Sequence, residues 1–154
     1  PLDVETLTDK AHLERALLLL ALIAHAYVAG DISQKPLAKL PKGIAVPWCK
    51  VAGKLNRTPI ISHGSLVCNN YRLLDANKPP YLGNIDMPNG FLLSEGEKWF
   101  FLVTVEIEAK GGPACKIITE MLHGIRDGAA TDVIVSHMEA LTDILETITK
   151  VFGR

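Results

Sequence analysis

Thiol and imidazole side chains, the usual ligands of transition metals, are present in the sequence but are not grouped. The three cysteines, Cys49, Cys68 and Cys115, lie far apart, with neither a CxxC motif nor a cysteine and histidine at zinc-ligand spacing. The spacing predicts neither a zinc site nor a disulfide framework, and it favours a reducing compartment. We expect the cysteines to be small buried hydrophobic residues, and we expect His25, in a long apolar run, to be a hydrogen-bonded core histidine rather than a metal ligand.

Two carboxylates, Glu106 and Glu108, are the nearest approach to an acid and base pair. They are two residues apart, and on a helix they would face different sides, which makes a cooperating pair unconvincing. We expect both to be solvated.

A hydroxyl within an apolar run is more informative. The stretch GEKWFFLVTVEIEAKGG, residues 96–112, has the β-branched and aromatic content of a strand. However, helices are predicted on both sides, so a strand here would lack a partner, and we predict a helix. On a helix Phe100, Thr104 and Ile107 share one face. A small hydroxyl at Thr104 among apolar residues therefore needs an explanation.

The elements around this helix are also predicted to be helical. Residues 9–29 form a long helix capped by Thr8 or Asp9 and stopped by Gly30; it is apolar nearly all round, as expected of a core helix. A loop rich in proline follows, and then WCKVAGKLNR, which begins at Trp48, predicts a short amphipathic helix. SHGSLVCNNY could form another short helix.

The second half begins with a predicted loop. DANKPPYLGNIDMPNG reads as an exposed loop because proline, glycine and asparagine cluster there. PACKIITEMLHGIRDG is predicted to be a separate helix, beginning at Pro113 after an interruption at Gly111 and Gly112 and ending near Gly124 or Gly128. Apolar residues spaced by four and three predict a packed helix from Thr131 to Phe152.

Composition limits the possible partners. The 154 residues carry a formal net charge of −1 and are 48% hydrophobic, which suits a globular chain with a substantial core. Lysine and arginine are scattered, so we expect no nucleic-acid partner. The longest apolar run, residues 16–30, is shorter than the roughly 20 residues that span a bilayer, and we expect no membrane partner.

Four segments carry a family resemblance: HAYVAG, LPKGIAVPWCKVAGKL, TPIISHGSLVCNNYRLLDANKP and KWFFLVTVEIEAKGGPACKII. Their order and approximate spacing resemble the indoleamine 2,3-dioxygenase family of heme enzymes, from about Leu7 to Phe152. The resemblance implies a partial all-α heme-dioxygenase-like fold. Residues 1–90 would belong to a small helical domain and residues 91–154 would begin a large heme-binding domain, whose C-terminal part has no counterpart here.

The same resemblance implies a cytoplasmic enzyme of tryptophan catabolism, in the kynurenine pathway. It would use heme iron and dioxygen to cleave the indole C2–C3 bond of L-tryptophan or a related indole amine, yielding N-formylkynurenine. The histidine that binds iron in the family comes from the missing C-terminal half. We therefore expect neither a metal ligand nor a catalytic residue within this chain, and we expect the isolated fragment to be inactive.

The resemblance also assigns a heme distal pocket, where substrate would bind. Matched by position, its residues are His63, Leu66, Val67, Phe100, Phe101 and Thr104. His63 replaces a familiar aromatic phenol and Leu66 a small thiol, so the substrate preference stays open. Thr104 stands where the family commonly carries a small hydroxyl near oxygen and substrate.

Other interpretations of these residues remain open. Phe100 and Phe101 could be core residues, and Thr104 could bond to the preceding helical turn. Two other functions are also possible: a heme-binding or oxygen-binding relative without catalysis, or a helical interaction domain without heme. If the family's other half is missing, apolar helix faces should be exposed, and the chain should self-associate.

Overall fold

The computed structural model describes residues 2–30, 33 and 35–153. Most of these residues are helical, which confirms the predicted all-α class. The chain divides into two compact units. The first comprises the chain up to Arg72 together with Met87–Phe101, and the second comprises Leu73–Asp86 together with the chain from Leu102 onward. The division predicted at residues 90 and 91 rests on family resemblance and stays a prediction.

Helix α1 (Lys10–Ala29) is the core element of the first unit, as predicted. The side chain of Asp9 accepts a hydrogen bond from the backbone nitrogen of His12, which confirms Asp9 as the N-cap, and Gly30 occupies the C-cap. By length and composition alone α1 could span a bilayer. Its buried leucines and its packing against the next helix are those of a core helix. His25 donates to the carbonyl oxygen of Ala21, which confirms the predicted hydrogen bond, although the side chain is half-buried rather than in the core.

Helix α2 (Lys42–Lys54) begins earlier than the predicted start at Trp48 and contains Pro47. Its first turn forms because the backbone nitrogens of Ile44 and Ala45 both bond to the carbonyl oxygen of Pro41. The proline removes one donor without ending the helix. Helices α1 and α2 bury a common apolar cluster: Val4, Leu13, Leu17, Leu20, Ala21, Ala24, Trp48, Val51 and Ala52.

A short π-helix (Gly64–Cys68) replaces the short helix predicted in SHGSLVCNNY and contacts α1. Its wide turn is shown by the bond from the backbone nitrogen of Asn69 to the carbonyl oxygen of Gly64. The buried Ser65 bonds through its hydroxyl to Ser62 at 3.0 Å.

The segment predicted as an exposed loop is more ordered than its composition indicated. It contains one strand of a two-stranded sheet, β2 (Ile85–Asp86), which pairs with β1 (Arg72–Leu73) just before the segment, and it buries Asn84. The Asn84 amide donates to the carbonyl oxygens of Asp75, Lys78 and Pro79, and its oxygen accepts from the Asp75 nitrogen. The side chain of one asparagine therefore bonds four backbone groups of this turn.

Helix α3 (Glu95–Arg126) is continuous through residues 96–112, which confirms the helix predicted there. The predicted interruption at Gly111 and Gly112, with a separate helix from Pro113, is wrong. Each glycine costs only about 1 kcal/mol in a helix and proline removes one hydrogen bond, and packing outweighs these local costs.

Helix α4 (Thr131–Phe152) has the predicted bounds and runs antiparallel to α3 in the second unit. The turn between the two helices contains Gly128, whose φ of +78° suits glycine. The register is given by three close pairs: Gly111 with Ile148, Glu120 with His137, and Gly124 with Ile134.

The cysteines correct a prediction. Cys49, Cys68 and Cys115 are all exposed, not buried. Cys49 illustrates the reason. Its neighbour Trp48 packs against α1, so the side chain of Cys49, one position later on α2, points to solvent.

Candidate functional site

The predicted pocket residues of the π-helix segment differ in exposure. Val67 is buried, Leu66 is half-buried and His63, in the N-cap position, is exposed. Because a π-turn is wider than an α-turn, it changes which side chains share a face, and such turns are frequent at functional sites. The π-helix and its N-cap therefore leave His63 exposed and Leu66 half-exposed, while Val67 is buried.

The second predicted group, Phe100 and Phe101, lies at the start of α3 in the same unit. The two rings meet edge to face, with centroids 5.2 Å apart and planes at 80°. Phe101 is half-buried, whereas Phe100 is 67% exposed. A large aromatic ring this exposed, held by a second aromatic ring, is suited to contact an apolar ligand.

Thr104 falls in the second unit and is half-buried on α3. It follows Phe100 by four residues, so the two lie on the same side of the helix. The structure therefore brings Phe100 and Phe101 together directly, keeps His63, Leu66 and Val67 on one short element, and aligns Thr104 with Phe100 along α3.

Glu97 holds the backbone that leads into α3, and the sequence analysis did not single out this residue. Its carboxylate accepts hydrogen bonds from the backbone nitrogens of Phe91, Leu92 and Leu93 at 2.6–2.8 Å. Partial burial would raise the pKa of Glu97, but these three donors outweigh it and hold the pKa below its usual value. The signal was available, because Ser94 and Glu97 have capping-box spacing, and the Ser94 hydroxyl accepts from the Glu97 nitrogen.

Glu106 is the second residue that sequence reasoning misjudged. It is fully buried rather than solvated, and its Oε2 accepts a hydrogen bond from the backbone nitrogen of Leu82 at 2.7 Å. Oε1 lies 2.6 Å from Nζ of Lys110, which satisfies it as an ion pair rather than as an aligned hydrogen bond. Glu108 is exposed, as predicted. Glu106 thus ties the turn of residues 73–86 to α3.

Metal ligands are not gathered in the part of the chain that the structure describes. Within residues 2–30, 33 and 35–153, no three histidine, cysteine, aspartate or glutamate side chains are grouped to hold an ion. The predicted pocket residues are mainly apolar. Their chemistry fits contact with the face of a flat apolar group, and it does not supply a set of metal ligands.

Comparison with known proteins identifies the class to which this helical chain belongs. The family model described as indoleamine 2,3-dioxygenase matches residues 1–154. The chain therefore belongs to the indoleamine 2,3-dioxygenase family.

Individual relatives show how much of the family protein is represented. An indoleamine 2,3-dioxygenase of Saccharomyces cerevisiae is 32% identical over 155 residues, covering 97% of this chain and 34% of the relative. Indoleamine 2,3-dioxygenase 1 of Mus musculus is 36% identical over 101 residues, covering 66% of this chain and 25% of the relative. Indoleamine 2,3-dioxygenase 2 of Mus musculus is 26% identical over 153 residues, covering 99% of this chain and 38% of the relative. The chain spans about a third of the length of the curated relatives it matches.

Proposed function

We propose that this chain is part of a cytoplasmic, heme-dependent dioxygenase. The whole protein would cleave the indole C2–C3 bond of L-tryptophan, or of a related indole amine, and yield N-formylkynurenine. The observation that carries the proposal is the family match along the whole chain. The exposed Phe100 ring, held edge to face by Phe101, supports the predicted pocket wall.

Heme would activate dioxygen when bound. The residues of this chain fit one wall of its site: Phe100 and Leu66 offer apolar surface, and Val67 anchors the π-helix behind Leu66. By the family resemblance, the ligand to the iron would come from the C-terminal part of the whole protein.

The pocket residues would orient the substrate rather than transfer protons. The exposed face of Phe100 is placed to stack or pack against an indole ring. The hydroxyl of Thr104 would offer a polar oxygen toward the substrate or ordered water, while its methyl group would limit how closely the indole approaches. His63 is exposed on the π-helix and would supply polarity at the rim.

Two variants separate this proposal from its alternatives. Phe100→Ser removes the proposed wall, and Phe152→Ser is the matched control, because Phe152 is 71% exposed on α4 and lies outside the predicted pocket. Each variant is placed in a chimera in which this chain replaces the matching third of the Saccharomyces cerevisiae relative. Heme binding is followed by the Soret absorbance band, and product by chromatographic detection of N-formylkynurenine.

We expect the chimera to bind heme and form product, with turnover lowered at least about tenfold by Phe100→Ser and unchanged by Phe152→Ser. A Soret band without product from tryptophan or any indole amine would favour a non-catalytic heme-binding or oxygen-binding relative. A folded chimera without a Soret band, judged by circular dichroism, would overturn the proposal and favour an interaction domain. The isolated chain, titrated with hemin, shows whether this third alone retains heme.

A further inference from the structure

Asn70 and Asn89 form a reciprocal pair within the first unit. The side-chain nitrogen of Asn70 donates to the backbone carbonyl oxygen of Asn89 at 2.7 Å, and the side-chain nitrogen of Asn89 donates to Oδ1 of Asn70 at 3.0 Å. Asn70 is only 1% exposed, and a buried amide is costly to leave without partners. The pair therefore holds together two segments that lie 19 residues apart in the chain.

Asn70 is also attached to the end of the π-helix. Its backbone nitrogen donates to the carbonyl oxygen of Val67 at 3.3 Å, and the backbone nitrogen of Asn69 donates to the carbonyl oxygen of Gly64 at 3.0 Å. Asn70 thus follows directly after the element that carries Leu66 and Val67. A change in how the Asn70 side chain is held therefore acts on the last turn of the π-helix.

Asn89 leads in the other direction, into the start of α3. The next residue, Gly90, lies against Glu97, because a Cβ at residue 90 would lie 2.9 Å from both carboxylate oxygens. The same carboxylate accepts hydrogen bonds from the backbone nitrogens of residues 91–93. Glu97 lies about one helical turn before Phe100. A continuous path of contacts and helical backbone therefore runs from Asn89 to the turn that carries the exposed ring.

We propose that Asn70 is a positioning residue. Through Asn89 it sets the spacing between two parts of the predicted pocket, the π-helix that carries Leu66 and the turn of α3 that carries Phe100. Neither asparagine is one of the predicted pocket residues. The coupling of the two segments stands on the hydrogen bonds, whereas its consequence for an indole substrate rests on the proposed function. If the spacing widens, a flat ring loses contacts with one of the two walls.

Asn84 provides a matched control. It is also a buried asparagine, 3% exposed, and its side chain bonds to backbone groups. Its side-chain bonds stay within the turn of residues 73–86, in the second unit. Asn70→Ala and Asn84→Ala therefore each remove a buried, hydrogen-bonded amide and should both destabilise the chain. Only Asn70→Ala should loosen the predicted pocket.

Hydrogen exchange of the 154-residue chain, measured by mass spectrometry, tests the coupling without heme. The backbone amides of residues 91–93 donate to Glu97 and report on the start of α3. We expect Asn70→Ala to accelerate their exchange at least about fivefold and Asn84→Ala to leave it within about twofold. Unchanged exchange in Asn70→Ala, or equal acceleration by the two variants, would overturn the proposal.

Coupling between the two segments must also act in the reverse direction. Asn89→Ala removes only the 3.0 Å bond and keeps the carbonyl acceptor for Asn70, so it is the milder variant should Asn70→Ala fail to fold. We expect it to accelerate exchange at the end of the π-helix, at the amides of residues 69 and 70, at least about threefold. Unchanged exchange there in a folded Asn89→Ala, judged by circular dichroism, would equally contradict the coupling.

The chimera with the Saccharomyces cerevisiae relative tests the consequence for substrate. Loss of folded protein lowers the apparent kcat and leaves KM unchanged, whereas a loosened pocket raises KM. We expect Asn70→Ala to raise KM for L-tryptophan at least about fivefold, with kcat per bound heme within about twofold, and Asn84→Ala to leave KM unchanged. An unchanged KM in heme-loaded Asn70→Ala would show that Asn70 does not position the pocket. If the unsubstituted chimera forms no product, the proposed function fails, and the exchange experiment alone decides the role of Asn70.

Discussion

The buried carboxylate of Glu106 accepts a hydrogen bond from the backbone nitrogen of Leu82, 24 residues earlier in the chain, at 2.7 Å. Its second oxygen pairs with Lys110 one helical turn later. Glu106 thus links the turn of residues 73–86 to α3. Removing it would leave a backbone donor and an ammonium group without their acceptor.

We expect Glu106→Ala to lower the free energy of unfolding by about 3 kcal/mol, because breaking a buried charged contact leaves its partners uncompensated. Glu108→Ala is the control, since Glu108 is exposed on the same helix, and it should change stability by less than about 0.5 kcal/mol. Urea unfolding followed by circular dichroism measures both. Equal effects of the two substitutions would contradict the role assigned to Glu106.

Two glycines in the second unit should respond in opposite directions to the same substitution. Gly112 is helical, and a Cβ there would meet nothing within 4 Å. Gly112→Ala should stabilise the chain by about 0.5–1 kcal/mol through helix propensity. Gly128→Ala should destabilise it by about 1 kcal/mol, because its φ of +78° strains any residue with a Cβ. Thermal unfolding of both variants measures the two changes in stability. Destabilisation by Gly112→Ala would mean that α3 is interrupted at residue 112.

Glu97 should make part of the stability depend on pH. Its folded pKa is held below the ordinary value of 4.5, because three backbone donors outweigh the effect of burial. A depressed folded pKa gives stability that is present above the unfolded pKa and is lost as pH falls through the folded pKa. We therefore expect Glu97→Gln to flatten the fall in unfolding free energy below about pH 4.5. Urea unfolding between about pH 3 and pH 7 measures this, and equal profiles for the unsubstituted chain and Glu97→Gln would contradict the role assigned to Glu97.

Exposed apolar side chains on the α3 and α4 helices predict self-association. Leu122 and Ile125 on α3 and Met138 and Leu145 on α4 are each more than half exposed. Large apolar side chains exposed on two helices are suited to contacts between molecules. We expect light scattering to report species larger than 16.8 kDa and Leu145→Glu to shift the distribution toward monomer. A monodisperse monomer at high micromolar concentration would contradict this expectation.

The parts of the fold that could be predicted from the sequence are those determined by the spacing of apolar residues and by helix capping. Asp9 and Gly30 bound α1, and the four-and-three spacing bounds α4, because these signals act within a few residues. The stretch at residues 96–112 was predicted correctly once its neighbours were considered, although its β-branched residues alone indicate a strand.

What sequence reasoning missed depends on contacts between distant residues. The buried state of Glu106 follows from Leu82 and Lys110 surrounding it, and no pattern within α3 records the position of residue 82. Gly111 was interpreted as a break, but a Cβ there would lie 3.4 Å from Ile148, so its small size serves the approach of α4. The pocket residues came from family resemblance, and their joint role stays a prediction.

Thr104 gives the sharpest test of that role. It follows Phe100 by one turn on α3 and is half-buried. If it borders the substrate, its hydroxyl supplies one hydrogen bond and its methyl limits the approach of the indole. Thr104→Val keeps the shape and deletes the hydroxyl, whereas Thr104→Ala deletes both.

We expect both variants of the heme-loaded chimera to change oxygen-complex lifetime or tryptophan turnover, while fold stability changes by only about 1 kcal/mol, the scale of one hydrogen bond. An effect shared by Thr104→Val and Thr104→Ala assigns the role to the hydroxyl, and an effect confined to Thr104→Ala assigns it to the methyl. Stopped-flow absorbance and product formation measure the two functions, and chemical unfolding measures stability. If both variants retain oxygen binding and turnover, Thr104 is a structural residue of α3, and the pocket does not extend to this turn of the helix.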